Sequence, residues 1–527
     1  VFLPAAVSLL AVAWRCVPPA PEVQPRSLYG TVAIFAFAAI WLVLNLPLAS
    51  EYVVPIRDPG VYMVTGAAVA QTGGTTIDVS VAQRVAAEFD GLSARLGAFA
   101  PSRFDDSVVQ LQGSSGFPGL LAIGYWLGGV VGATKVNLVI GALCLIALYG
   151  FARRLVGPIW GLLPSLLLSV AMPFLYLSRT SYTEIVTTTV LLAASTWLIS
   201  AFQSGRRVEF LLAGVFLGMA SLARIDGAVP FIGAIAGLTV VSWGVGLSEE
   251  SRFPISRGLY VVLGGWLLVG VGVLDLVLNQ PSYVNNLMRF AGPLWLLCAA
   301  LSAVYLLTLI LNRRGPNVLS PRVSRRFAII AVVTVVALFT YWISRPAWMV
   351  NRFITAAPYQ NAIESLQAKD GLAIDPSRSY DEYTVWWFAW YFGWVFVVLA
   401  VVGICFWVSR SLSEARASWL VVLAIPMASA MLFFNTVRVT PDQIWAFRRV
   451  LPSITPMLLI AFIIAVVWLW NRAGKYRVLA GAALFVTFVS AFLPWGRIIF
   501  TVEGGDQARE ISAICERVDR AELLVVH

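Results

Sequence analysis

The feature that most constrains the fold of this chain is a series of apolar segments separated by short charged connections. Many of the segments reach about 20 residues, the length that an α-helix needs to cross a lipid bilayer. Of the 527 residues, 59% are hydrophobic and 12% are charged, whereas soluble domains carry about 25% charged residues. The pattern predicts an all-α polytopic membrane protein.

The net charge of +10 does not indicate nucleic acid as a partner. The arginines and lysines mostly lie between the apolar segments, which is how orientation signals are distributed in membrane proteins. We expect membrane lipids to surround a bundle of about 13 transmembrane helices. The candidate segments are 1–16 (in part), 28–49, 134–152, 158–178, 181–203, 209–224, 228–246, 257–279, 291–312, 326–343, 385–409, 417–435, 446–470 and 476–495.

The arginines of the connections predict the orientation of the bundle. With Arg15 and Arg26 inside, residues 50–133 lie outside, and the arginines of six later connections fall inside, as the positive-inside rule requires. This threading treats the Gly-rich segment 117–131 as a short helix at the outer surface. It also places a second long loop, 344–384, outside.

The predicted domains follow from this topology. Residues 1–496 form the transmembrane module, whose first outer loop, 50–133, contains an amphipathic helix at 79–96. Residues 497–527 are the start of an extracytoplasmic domain, with a helix at 507–518 and a strand at 522–526. The chain begins with Val1 and stops within that strand, so we expect both ends to be trimmed from a longer protein.

The scarcity of histidine limits the chemistry available to the chain. Its one histidine is the last residue, His527, and its five cysteines show no disulfide or metal-binding spacing. Histidine-based acid–base chemistry and multi-histidine metal sites are therefore nearly excluded. Any catalysis must depend on carboxylates.

Several charged residues contradict the orientation rule because they fall on the predicted outer side. Charges close to the membrane are costly and usually mark a functional site or a binding partner. Arginine binds phosphate through two parallel hydrogen bonds, so arginines mixed with carboxylates favour an anionic phosphate ligand. The residues are Arg57, Arg179, Arg224, Arg289, Arg345, Arg352, Arg438, Arg448 and Arg449, with Asp58, Glu184, Asp226, Asp381, Glu382 and Asp442.

Each motif on this side also has a structural interpretation. Asp58 followed by Pro59 fits a helix start, with Asp as the N-cap and Pro at the first helical position. Glu184 fits a capping box that begins at Ser181. These interpretations remain open alongside the functional ones.

Three further features likewise have a structural interpretation beside the functional one. Arg224 and Asp226 would form a local ion pair in a tight turn. Adjacent arginines at 448 and 449 would anchor a helix at the membrane interface. The tryptophans between 386 and 394 fit an aromatic belt better than a sugar-binding platform.

Together these residues resemble a known superfamily. Asp58 after the first complete span resembles the first-outer-loop aspartate of GT-C fold glycosyltransferases. The segments 173–184, 218–227 and 448–456 are similar to three further motifs of its bacterial branch, which includes protein O-mannosyltransferases and lipid A aminoarabinose transferases. The resemblance covers roughly residues 28–470 and implies a GT-C-like bundle.

The resemblance implies transfer of a sugar from a polyprenyl-phosphate donor, with inversion, on the extracytoplasmic face of a bacterial plasma membrane. The acceptor would be a glycan, a lipid or a protein. Two departures stand out. Asp58 is followed by Pro59, where protein O-mannosyltransferases usually carry Asp-Glu, so protein mannosylation is less favoured. A His-Pro-Pro-like stretch of the family is replaced by residues 115–118.

The implied mechanism assigns a role to each candidate residue. Asp58 is the general base that takes the proton of the acceptor hydroxyl. Some relatives need a divalent cation and others do not; the mechanism requires no metal or other cofactor, and the cation question stays open. The donor phosphate would be held by Arg448, Arg449 and Arg438, and the substrate-binding candidates are Arg57, Tyr62, Arg179, Glu184, Arg224 and Asp226.

A protein of another class, a transporter or flippase of a lipid-linked substrate, would also need arginines and a cleft. Transporters generally show internal repeats and charges at the membrane midplane. Here the unusual charges lie at one face and the sequence shows no repeat. A polymerase or ligase of lipid-linked glycans is a third interpretation.

Overall fold

The structure is a computed structural model that describes residues 25–517, apart from 56, 89–98, 102–106, 112, 246, 248–254, 313–319 and 438. Three predictions lie outside the described residues: the partial span 1–16, the strand 522–526 and the role of Arg438.

Nineteen helices account for most of the described chain. In order, α1 to α10 are Pro25–Asn45, Asp58–Thr72, Ser80–Glu88, Gly116–Val156, Leu162–Val170, Met172–Arg179, Thr183–Ser204, Arg207–Ala223, Ala228–Ser242 and Gly258–Asn279. Helices α11 to α19 are Pro281–Leu311, Pro321–Ser344, Ala357–Lys369, Trp386–Phe392, Trp394–Ser413, Ala417–Phe433, Ile454–Trp470, Lys475–Phe492 and Gln507–Arg517.

The prediction of a helical membrane protein is confirmed. Within the described ranges, eight helices are long and apolar enough to cross a bilayer, or nine when the bent pair α5–α6 counts as one span. Three shorter apolar helices, α9, α16 and α17, accompany them. The count of about 13 transmembrane helices stays a prediction.

Proline and glycine interrupt several predicted spans. The 158–178 span is bent by 71° between α5 and α6, at Ala171, and Pro173 is the second residue of α6. The 385–409 span is divided at Gly393, whose φ of 83° lies in the left-handed region. The 446–470 span begins with a short 3₁₀ turn, Ala446–Arg449, and α17 starts only at Ile454, after Pro452.

Helix α4 contains a sharp reversal that bears on the predicted surface helix 117–131. Gly128 and Gly129 have non-helical backbone angles, with Gly129 at φ 61° and ψ −150°. A β-carbon at Gly132 would collide with the carbonyl oxygen of Gly124, so the two arms of α4 lie against each other. Residues 117–127 therefore form a helix separate from the long arm that follows, as predicted.

Small residues allow the closest helix packing in the bundle. Glycines on α8 and α10 contact the backbone of the facing helix. A β-carbon at Gly218 would lie 2.5 Å from the carbonyl oxygen of Gly265, and one at Gly272 would lie 2.7 Å from that of Ser221. Close approach of this kind replaces the hydrophobic driving force that is missing between helices in lipid.

The first long loop differs from the prediction because it contains a small sheet as well as helix. Strands β1 (Thr76–Asp78), β2 (Phe99–Pro101) and β3 (Val108–Leu111) pair antiparallel in the order β1-β3-β2. Residues in β3 alternate between partly exposed and buried, so Val109 and Leu111 pack with Val61 of α2. The predicted amphipathic helix appears as α3, although residues 89–96 lie among those not described.

The second long loop and the tail pack at the same end of the bundle as the first loop. Arg345 is buried, and its guanidinium donates to the carbonyl oxygens of Phe434 and Asn435. In the tail, Glu503 accepts a hydrogen bond of 2.5 Å from the hydroxyl of Tyr52. Helix α19 occupies the position where the sequence predicts a helix. The connections that carry the unusual charges are thereby gathered at one end.

Candidate active site

Asp58 lies at the first position of α2, next to an arginine from the distant end of the chain. The N-cap of α2 is Arg57, and no side chain caps the helix, so the N-cap interpretation of Asp58 does not describe this structure. The Oδ2 atom of Asp58 instead accepts a hydrogen bond of 2.5 Å from Nη1 of Arg448. Pro59 at the next position suits a helix start because its nitrogen needs no acceptor.

Glu184 lies in the first turn of α7 and is fully buried. The predicted capping box does not form, since the N-cap is Tyr182 and no side chain caps the helix. The Oε1 atom of Glu184 accepts a hydrogen bond from Nη1 of Arg224 and lies 4.0 Å from Nε of Arg448. Its carboxylate is therefore held by arginines, with a longer contact of 3.4 Å from the hydroxyl of Thr183 in its own helix.

Asp226 receives two arginines from different parts of the chain. In the turn between α8 and α9, Nε and Nη2 of Arg224 donate to Oδ1 and Oδ2 of Asp226 at 2.8 and 2.9 Å. Nη1 of Arg449 donates to Oδ2 at 2.9 Å. Burial alone would raise the pKa of Asp226, but the nearby arginines hold it well below its ordinary value. Asp226 is thus ionised.

These contacts form one continuous ionic cluster with three carboxylates and three guanidinium groups. Its members differ in solvent exposure: the side chain of Glu184 is 1% exposed, whereas that of Asp58 is 33% exposed. The buried carboxylates and guanidinium groups neutralise one another's charge, as buried charges must. Asp58 is the carboxylate that solvent or a substrate reaches most easily. The cluster consists of Asp58, Glu184, Arg224, Asp226, Arg448 and Arg449.

Two donors within the cluster have no hydrogen-bond acceptor among the described residues. They are the Nε atoms of Arg448 and Arg449, and both are buried. A buried donor without a partner costs about 1–3 kcal/mol. Adjacent unsatisfied guanidinium donors are well suited to an anionic ligand with several oxygens, such as a phosphate.

An aromatic side chain supports the exposed side of the cluster. The guanidinium of Arg448 stacks over the ring of Trp445 at 3.6 Å, and that of Arg57 lies 5.5 Å from the same ring. Nη1 of Arg57 also donates to Oδ2 of Asp442 at 3.3 Å. Sequence reasoning missed Trp445. The spacing of three residues between Trp445 and Arg448 in a tight turn was the available signal.

Two tyrosines lie near the cluster. The ring of Tyr62, one turn after Asp58, packs edge-on against Phe117 at 5.5 Å. Burial and the nearby Asp58 raise the pKa of Tyr62 well above its ordinary value, so its hydroxyl stays protonated and remains a donor. Tyr283, at the start of α11, lies within electrostatic range of Arg449 and Asp226. Nothing in the sequence pattern pointed to Tyr283.

Arg179 is separate from the cluster. Its Nε donates to Oδ1 of Asn45 at 2.9 Å and its Nη1 to the carbonyl oxygen of Ile499 at 2.7 Å. These bonds join α1, α6 and the segment that leads to the tail. The structure therefore gives Arg179 a connecting position beside the site. Arg438 lies outside the described residues.

The carboxylates of the cluster do not converge on a cation. Among the residues that the structure describes, no three histidine, cysteine, aspartate or glutamate side chains form a group that could hold a metal ion. Each carboxylate of the cluster instead faces a guanidinium group, so the arrangement as it stands suits an anion better than a cation.

Part of the chain matches a known protein family. Residues 120–263 match the model of the dolichyl-phosphate-mannose-protein mannosyltransferase family. This segment includes Glu184, Arg224 and Asp226 of the ionic cluster. No curated protein sequence matches the chain.

Solved structures with a similar fold include the oligosaccharyltransferase of Archaeoglobus fulgidus. Its complex with Zn and sulfate is 13% identical, with a TM-score of 0.53, over 93% of this chain and 56% of that one. The same enzyme tethered to an acceptor peptide containing the NVT sequon is 12% identical, with a TM-score of 0.53, over 94% and 57%. This chain thus spans a little over half the length of that protein.

A further match is ArnT from Cupriavidus metallidurans bound to undecaprenyl phosphate, 13% identical over 88% of this chain and 84% of that one. Its TM-score of 0.32 is too low to add to the fold assignment. The oligosaccharyltransferase, by contrast, superposes along nearly the whole described bundle. The chain therefore has the fold of the archaeal oligosaccharyltransferase, in agreement with the GT-C-like bundle that the sequence predicts.

Proposed function

We propose that this chain is a membrane glycosyltransferase that moves a sugar from a polyprenyl-phosphate donor to an acceptor hydroxyl on the extracytoplasmic face. The observation that carries the proposal is the pair Arg448 and Arg449 next to the partly exposed carboxylate of Asp58. The Nε of each arginine is buried and finds no acceptor in the described part of the chain. The matched family model, whose description names a dolichyl-phosphate-linked mannose, supports this class of donor.

In the proposed reaction the acceptor oxygen attacks the anomeric carbon of the donor sugar. A new C–O bond forms with inversion, and the bond between that carbon and the phosphate oxygen breaks. Asp58 takes the proton of the acceptor hydroxyl as the bond forms. Arg448 and Arg449 stabilise the negative charge that grows on the departing lipid phosphate.

The contact between Asp58 and Arg448 links donor binding to the availability of the base. In this structure Nη1 of Arg448 donates to Oδ2 of Asp58 at 2.5 Å, so this carboxylate oxygen is engaged by the guanidinium. A phosphate that binds Arg448 would compete with Asp58 for this guanidinium. Donor binding would thus release the carboxylate for the acceptor proton.

Glu184 and Asp226 have a supporting role in this proposal. Both carboxylates hold the guanidinium of Arg224 in the buried part of the cluster. Asp226 also accepts a hydrogen bond from Nη1 of Arg449 and so fixes its position. Holding these groups in place before the donor arrives is a main source of catalytic power in phosphate chemistry. The hydroxyl of Tyr62 is a candidate donor to the sugar or the acceptor.

The substrate is assigned only by class. The sugar would be a hexose or a pentose, and the acceptor a glycan, a lipid or a protein. Pro59 follows Asp58 where protein O-mannosyltransferases carry glutamate, which argues against protein as the acceptor. The proposed mechanism requires no divalent cation.

The proposal is tested with purified protein in lipid nanodiscs and radiolabelled polyprenyl-phosphate hexoses and pentoses. We expect loss of label from the lipid and its appearance on an added acceptor extract or, more slowly, on water. Label that stays on the lipid with every donor would contradict a transferase. Donor that instead crosses the bilayer of a proteoliposome intact would identify a transporter.

A further inference from the structure

A cavity lies at the end of the bundle opposite the ionic cluster. It has a volume of about 410 Å³ and lies between the ends of α4, α15 and α17 and the start of α16. We call it the distal cavity. Its lining includes Phe406, Arg410, Trp419, Trp468, Asn471 and Arg472.

Helix α17 shows how far the distal cavity is from the proposed active site. The helix begins at Ile454, five residues after Arg449, and ends at Trp470. At 1.5 Å per residue its 17 residues span roughly 25 Å. The two sites are therefore on opposite sides of the membrane-spanning bundle, and a ligand of one does not occupy the other.

The inner part of the distal cavity is apolar and aromatic. The rings of Phe406 and Trp468 lie 4.8 Å apart, and Trp419 is almost fully buried beside them. Ile464 and Val467 of α17 complete the apolar wall. Such a wall accepts hydrocarbon but gives no favourable contact to a small hydrophilic ion.

The mouth of the distal cavity is cationic. Arg472 stacks over the ring of Trp468 at 4.5 Å and forms no ion pair with the residues that the structure describes. Nε of Arg410 lies 3.6 Å from Glu414, whose other oxygen is held by Arg416 at 2.7 Å. One carboxylate is thus shared between two arginines, and the mouth keeps an excess of positive charge.

An apolar pocket with an arginine-lined mouth is complementary to an amphiphile with an anionic head. Basic pockets between transmembrane helices commonly bind anionic lipid head groups. Here Asn471 and the two arginines offer donors to phosphate oxygens, while the aromatic wall offers contact to the first acyl carbons. We propose that the distal cavity binds one anionic glycerophospholipid by its phosphate head group.

The alternative is that these arginines act only as orientation signals, which need no cavity and no stacked geometry. Two pairs of substitutions separate these possibilities. Arg410→Gln with Arg472→Gln removes the cations of the mouth. Arg325→Gln with Arg326→Gln removes two exposed arginines from the start of α12, at the same end of the bundle.

The experiment is native mass spectrometry of the detergent-purified full chain titrated with phosphatidylglycerol or phosphatidylcholine. We expect the unmodified chain to retain phosphatidylglycerol preferentially. An arginine near an anionic lipid contributes on the order of a 5-fold change in affinity. The Arg410/Arg472 pair should therefore weaken retention by roughly 25-fold, and the Arg325/Arg326 pair should leave it within about 2-fold.

Equal losses in the two pairs, or equal retention of the two lipids, would overturn the proposal. So would displacement of the lipid by inorganic phosphate alone at millimolar concentration, because that result would identify a site for a free anion. Thermal unfolding of each variant checks that the protein folds. If the Arg410/Arg472 pair does not fold, the single Arg472→Gln variant should still show the loss of preference.

Discussion

The carboxylate of Asp58 and the guanidinium of Arg448 are 390 positions apart in the chain and 2.5 Å apart in space. The contact joins the first helix after the initial span to the turn that precedes α17. It places the most exposed carboxylate of the ionic cluster directly on one of its two arginines with an unpartnered Nε.

Arg449→Ala should weaken binding of a polyprenyl-phosphate donor. The substitution removes a charge-assisted donor, which typically contributes about 1.5–3 kcal/mol, so the dissociation constant should rise roughly 10- to 100-fold. Binding is measured by titrating fluorescent polyprenyl phosphate into nanodiscs. Arg352→Ala, which removes an exposed ion pair with Asp375, is the matched control and should have little effect. Unchanged affinity in Arg449→Ala would remove this residue from the phosphate site.

Arg224→Ala should destabilise the protein strongly. The guanidinium of Arg224 contacts both Glu184 and Asp226, and its loss leaves two buried carboxylates with less compensation. Breaking a buried pair in this way costs about 3–5 kcal/mol. Thermal unfolding in nanodiscs, followed by tryptophan fluorescence, measures the loss.

Two further variants control the Arg224 experiment. Arg57→Ala removes a largely exposed ion pair and should change stability by less than about 1 kcal/mol. Adding Glu184→Gln to Arg224→Ala should restore part of the lost stability, because the uncompensated charge is gone. An Arg224→Ala variant as stable as Arg57→Ala would show that the cluster does not need this guanidinium.

Asp381 should make the stability of the second long loop depend on pH. Burial raises its pKa to about 7, above the value in an unfolded chain. The folded protein therefore binds a proton that the unfolded chain has released, and stability falls as pH rises from about 4 to 7. The slope is on the order of 1 kcal/mol per pH unit. Unfolding temperatures measured between pH 5 and pH 8 should show this fall, and Asp381→Asn should flatten it; an equal slope in the variant would contradict the assignment.

Gly129→Ala should destabilise the reversal of α4. At φ 61° and ψ −150° the backbone occupies a region that is essentially reserved for glycine, so a side chain there costs about 1–3 kcal/mol. Gly150→Ala, in the straight arm where a β-carbon meets no other atom, should be neutral or slightly stabilising. Thermal unfolding compares the two variants, and an equal effect would show that the reversal does not depend on Gly129.

Hydropathy and the spacing of arginines predicted the fold class because a bilayer allows few ways to satisfy the backbone. The same reasoning located Asp58, Glu184, Arg224 and Asp226 on connections at one end. It could not predict which residues form ion pairs with them. The pairing of Asp58 with Arg448 depends on tertiary packing across almost the whole chain.

Other features had weaker sequence signals. The three strands of the first loop are only three or four residues long, too short for alternation to be recognised. Trp445 is one of 20 tryptophans in the sequence, and only the structure places two arginines near its ring. Arg179 was a substrate-binding candidate because it lies among the arginines on the predicted outer side. In the structure its hydrogen bonds instead go to Asn45 of α1 and to Ile499 of the segment that leads to the tail.

The most direct test of the central proposal is the transfer rate of Asp58→Asn, measured together with its donor affinity. The substitution keeps the shape of the side chain and removes the base. We expect the rate to fall about 10²- to 10⁴-fold, while the variant binds donor at least as tightly because Arg448 is no longer held by a carboxylate. An Asp58→Asn protein that transfers sugar at the unmodified rate would contradict the account.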